Sequence, residues 1–149
     1  TYNMHIMLRF EIEQAIISGE LPVSDIPAAW NELFEKYVGL KVPNDSLGCL
    51  QDVHWSFGGF GYFPPYALGT LHAAQIFDAA LKALPGLENS FAMGDFSALL
   101  DWLRTNIHHH GRRYRSRELI ERLTGQPPSH RPLMDYLRRK FGELYQISV

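Results

Sequence analysis

A glycine- and proline-rich stretch over residues 48–69 most constrains how this chain can fold. It reads GCLQDVHWSFGGFGYFPPYALG, and Gly59, Gly61 and the pair Pro64–Pro65 forbid a long regular helix before residue 64. Aromatic and hydrogen-bonding side chains crowd the same stretch, as they do in loops that line binding sites on rigid scaffolds. An aromatic-rich turn that only packs explains the composition equally well, so the residues alone leave the role of this loop open.

The segments on either side of the loop carry apolar residues at helical spacing, and glycines or prolines follow most of them. No segment shows the strict alternation that is typical of a strand. The sequence therefore predicts an all-α protein of about six helices, forming a single domain over residues 1–149. The predicted helices cover residues 2–18, 26–38, 65–84, 96–110, 117–123 and 131–145, with a short helical turn near residue 90.

The first predicted helix is unusual because its apolar residues fall nearly all round it. A helix of this kind is normally buried on every side, which suggests that a larger body covers its outer face. His5 and Arg9 lie one turn apart and share a face of this helix. We expect His5 to be a packing or supporting histidine, because no second metal ligand stands at helical spacing from it.

Composition and charge bear on the partners and the compartment of this chain. The formal net charge of −2 over 149 residues gives no general attraction to nucleic acid or to a membrane surface. No apolar run approaches the length that a membrane span requires. Cys49 is the only cysteine, so an intrachain disulfide and a thiolate metal cluster are excluded. A single cysteine also fits a reducing compartment, and we expect a cytoplasmic protein.

The motifs of several enzyme classes are missing from this chain. It lacks the His-Glu-x-x-His of zinc peptidases, a P-loop, a dinucleotide glycine fingerprint and a Gly-x-Ser-x-Gly elbow. The run His108–His110 cannot converge on one ion, because consecutive helical residues point about 100° apart. Cys49 and His54 could suggest a thiol nucleophile, although a buried packing role suits a lone cysteine better. The sequence predicts no metal site.

The chemistry that remains is that of hydrogen-bond donors and cations. His54, Tyr62 and Tyr66 can donate to a developing oxyanion. Arginine forks can bind a carboxylate or a phosphate, although a solvated surface is the more common role of such a cluster. The arginines follow the histidine run: Arg112, Arg113, Arg115 and Arg117.

The sequence also resembles a known family. GCLQDVHW at residues 48–55 is similar to the Gly-x-x-Gln-Asp-x-His-Trp signature of the Taq-type thermostable metallocarboxypeptidases. The likeness continues through FGYFPPYALGTLHAAQIF, FSALLDWLRTNIHHHGRRY and ELIERLTGQP, and it includes the first helix. It covers essentially all 149 residues. The resemblance implies an almost entirely helical body with a deep groove, related to other gluzincin peptidases.

The resemblance also implies what this chain does not contain. Members of the family are several times longer, so the chain corresponds to their C-terminal portion. They remove C-terminal residues from peptides with a zinc-activated water, and their zinc ligands come from an upstream His-Glu-x-x-His and a later glutamate. We therefore expect zinc in the full-length enzyme, no cofactor in this chain, and neither a catalytic zinc nor peptide cleavage when the chain is alone.

Site residues follow from the same resemblance. His54 and Tyr66, with Tyr62, are expected to face the scissile carbonyl as catalytic residues. Either Arg112 or Arg113 is expected to bind the free α-carboxylate of a peptide, and the choice stays open. The remaining substrate-binding candidates belong to the signature: Gln51, Asp52 and Trp55.

Two further expectations concern partners. Uncovered apolar surface on the first helix predicts a homo-oligomer, with peptide as the substrate of the full-length enzyme. The alternative function is a non-enzymatic helical interaction module, in which the arginine cluster binds an acidic partner or nucleic acid. The resemblance favours the peptidase portion, for which we expect no nucleic-acid partner and no membrane.

Overall fold

The protein is helical throughout residues 1–147, the part that the computed structural model describes, and no β-strand occurs there. The prediction of an all-α fold is confirmed, and the short helix near residue 90 brings the number of α-helices to seven. Between α2 and α3 the chain forms separate 3-10 turns instead of a helix. The helices are α1 (Tyr2–Ser18), α2 (Ile26–Val38), α3 (Phe63–Ala83), α4 (Leu87–Ala92), α5 (Ser97–Asn106), α6 (Ser116–Thr124) and α7 (Arg131–Tyr145).

The chain divides into two compact units. The first is Thr1–Leu68, with α1, α2, the loop and the start of α3, and the second begins at Gly69. The prediction of one domain over residues 1–149 stays a prediction, and its last two residues lie outside the described part. Within residues 1–147, none of the helices is both long and apolar enough to cross a membrane.

The core of the first unit lies between α1 and α2. Leu8 and Ile12 stand one turn apart on α1 and pack with Trp30 of α2 and with Cys49 of the loop. Burial raises the pKa of the Cys49 thiol, which is the environment of an inert packing cysteine rather than a nucleophile. The helix α2 ends at Gly39, whose φ of 76° places it in the left-handed region that suits a helix C-cap.

The opposite face of α1 is largely uncovered by the residues that the structure describes. Large apolar side chains are exposed along it, so α1 is buried on one face and not on all sides. An apolar face of this extent on a helix is usually covered by another surface. The exposed residues are Tyr2, Met4, Met7, Phe10 and Ile17.

The second unit contains a buried amide that fixes the connection between α6 and α7. Gln75 of α3 is 4% exposed. Its side-chain nitrogen donates to Thr124 Oγ1 at 3.2 Å and to the carbonyl of Pro127 at 3.1 Å, and its oxygen accepts the Ser129 N–H at 3.0 Å. The hydroxyl of Ser129 accepts the Arg131 N–H at 3.2 Å, just before α7 begins.

Candidate functional site

The loop turns back on itself beside His54, and Gly59 makes this turn possible. The Gly59 N–H donates to the carbonyl of His54 at 2.7 Å. A Cβ atom at position 59 would lie 2.6 Å from Cε2 of Phe57 and 3.0 Å from that carbonyl oxygen. Only glycine allows so close an approach. The turn leads the chain back toward His54, where Tyr62 stacks on the imidazole with ring centroids 5.5 Å apart.

Tyr66 is mounted in the first turn of α3. This helix begins at Phe63, two residues before the predicted start, because Pro64 and Pro65 fit its first turn. The N–H groups that proline lacks have no intrahelical partner there. Two fixed φ angles therefore precede Tyr66 and make its backbone position rigid.

Asp52, His54 and Tyr66 form a hydrogen-bonded row. Oδ1 of Asp52 accepts the backbone N–H of His54 at 3.1 Å and also contacts Nδ1 of the imidazole. An ionised carboxylate can only accept, so Nδ1 carries the proton. Nε2 of the neutral ring is then an acceptor, and the Tyr66 hydroxyl donates to it at 3.3 Å.

Asp52 stays ionised because of its hydrogen bonds. Burial alone would raise the pKa of this carboxyl group, but the bonds from His54 and Arg9 outweigh it and hold the pKa below its ordinary value. Arg9 Nε donates to Oδ2 of Asp52 at 2.7 Å. Both side chains are largely removed from water, with exposures of 11% for Arg9 and 14% for Asp52.

The pKa of Tyr66 is raised, whereas that of Asp52 is lowered. Removal from water is the main cause that raises the pKa of its phenol, and the neighbouring Tyr62 hydroxyl and the Asp52 charge add to it. The hydroxyl therefore keeps its proton at neutral pH and can act as a hydrogen-bond donor. Aromatic rings enclose the imidazole beside it, with the Phe63 centroid 4.8 Å and the Phe57 centroid 5.5 Å from that of His54.

The other residues of the signature have different surroundings. Trp55 is directed into the packing, where its Nε1–H donates to Oε1 of Glu13 at 3.1 Å and its ring lies edge-on to Trp30 at 6.3 Å. Gln51 is exposed, and its side-chain nitrogen donates to the carbonyl of Ser46 at 2.8 Å. Substrate binding by Trp55 and Gln51 stays a prediction.

The predicted carboxylate receptors belong to the second unit. Arg112 and Arg113 follow a 3-10 turn over His108–His110 and are exposed. The guanidinium of Arg113 lies 5.5 Å from the ring centroid of Tyr114. Exposed guanidinium groups are free to meet an anion, and their role in binding a peptide carboxylate stays a prediction.

Two residues of α1 that contact the signature were not predicted as site residues. Arg9 bonds Asp52 and Glu13 bonds Trp55, across separations of 43 and 42 residues. Their sequence signal was available, because they are charged residues at positions i and i+4 of a helix that is otherwise largely apolar. Charges inside an apolar pattern require partners, and these partners lie in the loop.

No group of three or more His, Cys, Asp or Glu side chains that could hold a metal lies within residues 1–147. A catalytic zinc needs about three protein ligands. The described residues therefore do not fit a zinc site by themselves, and the row of Asp52, His54 and Tyr66 is a set of hydrogen-bonding groups.

Comparison with known proteins decides the family. A sequence model of the carboxypeptidase Taq (M32) metallopeptidases matches residues 1–141. The chain belongs to this family. Among its M32 relatives, "Thermostable carboxypeptidase 1" of Thermus thermophilus is 48% identical over 97% of this chain. "Carboxypeptidase 1" of Bacillus subtilis is 43% identical, again over 97% of it.

Solved structures agree with the M32 assignment. The M32 carboxypeptidase of Deinococcus radiodurans has a TM-score of 0.94 and 48% identity over 98% of this chain. The metallocarboxypeptidase 1 of Trypanosoma cruzi has a TM-score of 0.89 and 37% sequence identity over 93% of this chain. The chain spans only 28% of the length of the Thermus relative and 30% of the Deinococcus structure, so it represents less than a third of an M32 carboxypeptidase.

Proposed function

We propose that this chain is the part of a zinc carboxypeptidase that binds peptide substrate and stabilises negative charge on the scissile carbonyl oxygen. The observation that carries this proposal is the Tyr66 hydroxyl, which keeps its proton and is held by His54 at the start of a rigid helix. Because the chain spans less than a third of its relatives, the activity is proposed for the longer enzyme that contains it.

Tyr66 acts as a donor to the oxyanion that forms when the scissile carbonyl is attacked. Donors that are fixed before the reaction stabilise such charge strongly, because they need no reorganisation as it develops. Neutral His54 accepts the Tyr66 hydroxyl and orients it, whereas protonated His54 donates from Nε2. Tyr62 stacks on the imidazole and adds a second phenol beside it.

Selectivity for a free C-terminus is assigned to the second unit. The guanidinium of arginine bonds both oxygens of a carboxylate, which an amidated C-terminus lacks. Arg112 and Arg113 are exposed and follow a helix end, where side chains can be directed at a ligand. Consecutive residues point in different directions, so one of the two binds the substrate carboxylate.

The zinc is assigned to other parts of the longer polypeptide, because residues 1–147 contain no ligand set of their own. The chain alone is therefore expected to hold no stoichiometric zinc and to leave blocked dipeptides intact, which metal analysis and a peptidase assay measure. Chelator-sensitive turnover by the chain alone would refute this assignment. The lone cysteine supports the cytoplasm as the compartment, which cell fractionation tests.

The decisive experiment is Tyr66→Phe in the full-length enzyme. Loss of one oxyanion donor is expected to lower kcat by about a hundredfold with little change in KM. Tyr37→Phe is the matched control, since that hydroxyl also bonds a side chain of the first unit, Glu11. Zinc content and thermal stability are measured for both variants. Parental turnover by Tyr66→Phe would exclude the oxyanion role.

Carboxylate recognition has its own test. Arg112→Gln and Arg113→Gln are compared on peptides with free and amidated C-termini, and one of them is expected to lose the preference for the free end. Arg104→Gln is the control, because Arg104 forms an exposed ion pair with Asp101 within one helix. Retention of full preference by both variants, and by the double variant, would contradict the assignment.

The exposed face of α1 supports a further part of the proposal, which is self-association. Apolar residues along this face are normally removed from water, and a second copy is the partner we propose. Sedimentation of the chain is expected to show a dimer or larger assembly, and Met7→Lys is expected to weaken it. A monomer that binds no apolar dye would contradict this expectation.

A further inference from the structure

We infer that Arg9 is a positioning residue, which acts through Asp52 to fix the imidazole of His54 with Nδ1 protonated and Nε2 directed at the Tyr66 hydroxyl. This inference rests on the proposed function for its relevance to catalysis. The arrangement that it describes is a property of the chain itself, and it can be measured without enzyme activity.

Arg9 is held at several points. Its Nε donates to Oδ2 of Asp52 at 2.7 Å, and its Nη1 donates to the carbonyl of His5, one turn earlier on α1, at 2.8 Å. The guanidinium lies 4.7 Å from the ring centroid of Trp30 and 5.6 Å from that of Phe63. Stacking on aromatic faces and fixed N–H directions restrict this side chain to one orientation.

The two oxygens of Asp52 have separate partners. Oδ2 is bonded by Arg9, whereas Oδ1 is bonded by the backbone and the ring of His54. Rotation of the carboxylate would exchange the two oxygens, and the bond from Arg9 opposes that rotation. Asp52 therefore presents a fixed, charged acceptor to Nδ1.

Removing Arg9 would change both properties of this acceptor. The carboxylate is 14% exposed, so without the guanidinium its charged form would lose a close favourable partner. Its rotation would then be opposed only by the bonds from His54 to Oδ1. His54 would then exchange between its two neutral tautomers, and the tautomer with Nε2–H cannot accept the Tyr66 hydroxyl. Loss of Arg9 is thus transmitted to Tyr66 through two intervening side chains.

A purely structural ion pair would behave differently. If Arg9 and Asp52 only stabilised the packing of α1 against the loop, substitution would lower stability and leave the tautomer of His54 unchanged in the molecules that fold. Lysine at position 9 distinguishes the two roles further, because it keeps the charge but lacks the planar fork and its fixed bond direction.

The test is nitrogen NMR of the 149-residue chain. Long-range proton–nitrogen correlations of the imidazole distinguish the two neutral tautomers, measured near pH 8 where histidines are largely neutral. The His54→Asn variant assigns the signals. The Nδ1–H pattern is expected in the parent and in the control Arg104→Gln, an arginine paired with an aspartate on an exposed helix face. Arg9→Gln is expected to show a mixture of tautomers, and Arg9→Lys an intermediate pattern.

Two results would overturn the inference. One is the Nε2–H pattern in the parent chain. The other is an unchanged Nδ1–H pattern in Arg9→Gln whose helical content is intact by circular dichroism. If Arg9→Gln does not fold, Arg9→Lys decides, and a pattern identical to the parent overturns the role. Failure of Tyr66→Phe to slow the enzyme would refute the proposed function while leaving this tautomer result unaffected.

Discussion

The two units of this chain bury polar groups of different kinds. In the first unit Arg9 and Asp52 form a largely buried ion pair with side-chain exposures of 11% and 14%, and the more deeply buried carboxylate of Glu13 accepts the Trp55 N–H. In the second unit the buried polar group is the neutral amide of Gln75, with an exposure of 4%. The ion pair and the amide both join segments that are far apart in sequence, with separations of 43 and up to 54 residues.

The difference shows what each contact is suited to do. A neutral amide satisfies donors and acceptors of a loop without removing a charge from water, so it suffices to hold the connection after α6. A buried ion pair is expensive to desolvate and is weak evidence for stability by itself. Its presence beside His54 is understandable where a carboxylate has to orient an imidazole.

The largest effect is expected from breaking the ion pair. Arg9→Ala removes the guanidinium from the partly buried Asp52 charge, which keeps only its bonds from His54, and should lower the free energy of unfolding of the first unit by about 3–5 kcal/mol. Urea unfolding in a Trp102→Phe background reports this unit, because the remaining tryptophans, Trp30 and Trp55, both belong to it. A loss below about 1 kcal/mol would show that the pair is effectively solvated.

The second largest loss of stability is expected when the buried amide of Gln75 is removed. Gln75→Ala removes the acceptor of the Ser129 N–H and the donor to the Pro127 carbonyl, and it is expected to lower the free energy of unfolding by about 1–3 kcal/mol. Trp102 fluorescence reports the second unit. Gln14→Ala, at an exposed position of α1, should change stability by less than about 0.5 kcal/mol. If Gln75→Ala and Gln14→Ala lower the free energy of unfolding equally, the buried amide of Gln75 does not stabilise the second unit.

Acid should weaken the first unit through Asp52. Its folded pKa lies below the ordinary value of 3.8, so its stabilising contribution is present above that value and is lost as the pH falls through the folded pKa. Unfolding measured from about pH 6 to about pH 3 should show a fall that Asp52→Asn flattens.

A second aspartate provides the control for this acid effect. The pKa of Asp95 is lowered by hydrogen bonds from Ser97, but Asp95 is exposed and lies in the second unit. Asp95→Asn should leave the acid response of Trp30 and Trp55 unchanged. If Asp95→Asn flattens that response as much as Asp52→Asn does, Asp52 is not its source.

The smallest effect is expected at an exposed ion pair. Arg104→Gln removes a 3.4 Å contact with Asp101 whose side chains are 56% and 75% exposed. Solvent screening limits such pairs to about 0.5 kcal/mol, so unfolding by urea should barely change. A loss comparable to that of Arg9→Ala would mean that burial does not separate the two kinds of pair.

Much of the fold could be predicted from local signals. Gly39 and Gly125 end helices in the left-handed conformation, because this signal acts within a few residues. The sequence predicts the start of α3 at residue 65, two residues after the observed start at Phe63, since a pair of prolines is compatible with either of the first positions of a helix.

The site was predicted less completely. The resemblance singled out Asp52, His54 and Tyr66, and the structure brings them into one row. The sequence shows Arg9 as a charge in a largely apolar helix, but it does not show that the partner is Asp52, because that contact depends on how α1 packs against the loop. The sequence likewise shows the glycine at position 59, but it does not show the close neighbours that make glycine necessary there.

Gly59 limits how this sequence can vary. Glycine has no side chain. In any other residue at this position, the Cβ atom would lie 3.0 Å from the backbone oxygen of His54. The Phe57 ring could turn aside, whereas that oxygen is fixed by its peptide plane. A larger residue at position 59 would therefore require the turn beside His54 to shift by a few tenths of an ångström. A search for inactivating mutations is expected to find substitutions at Gly59 as well as at Asp52 and Tyr66.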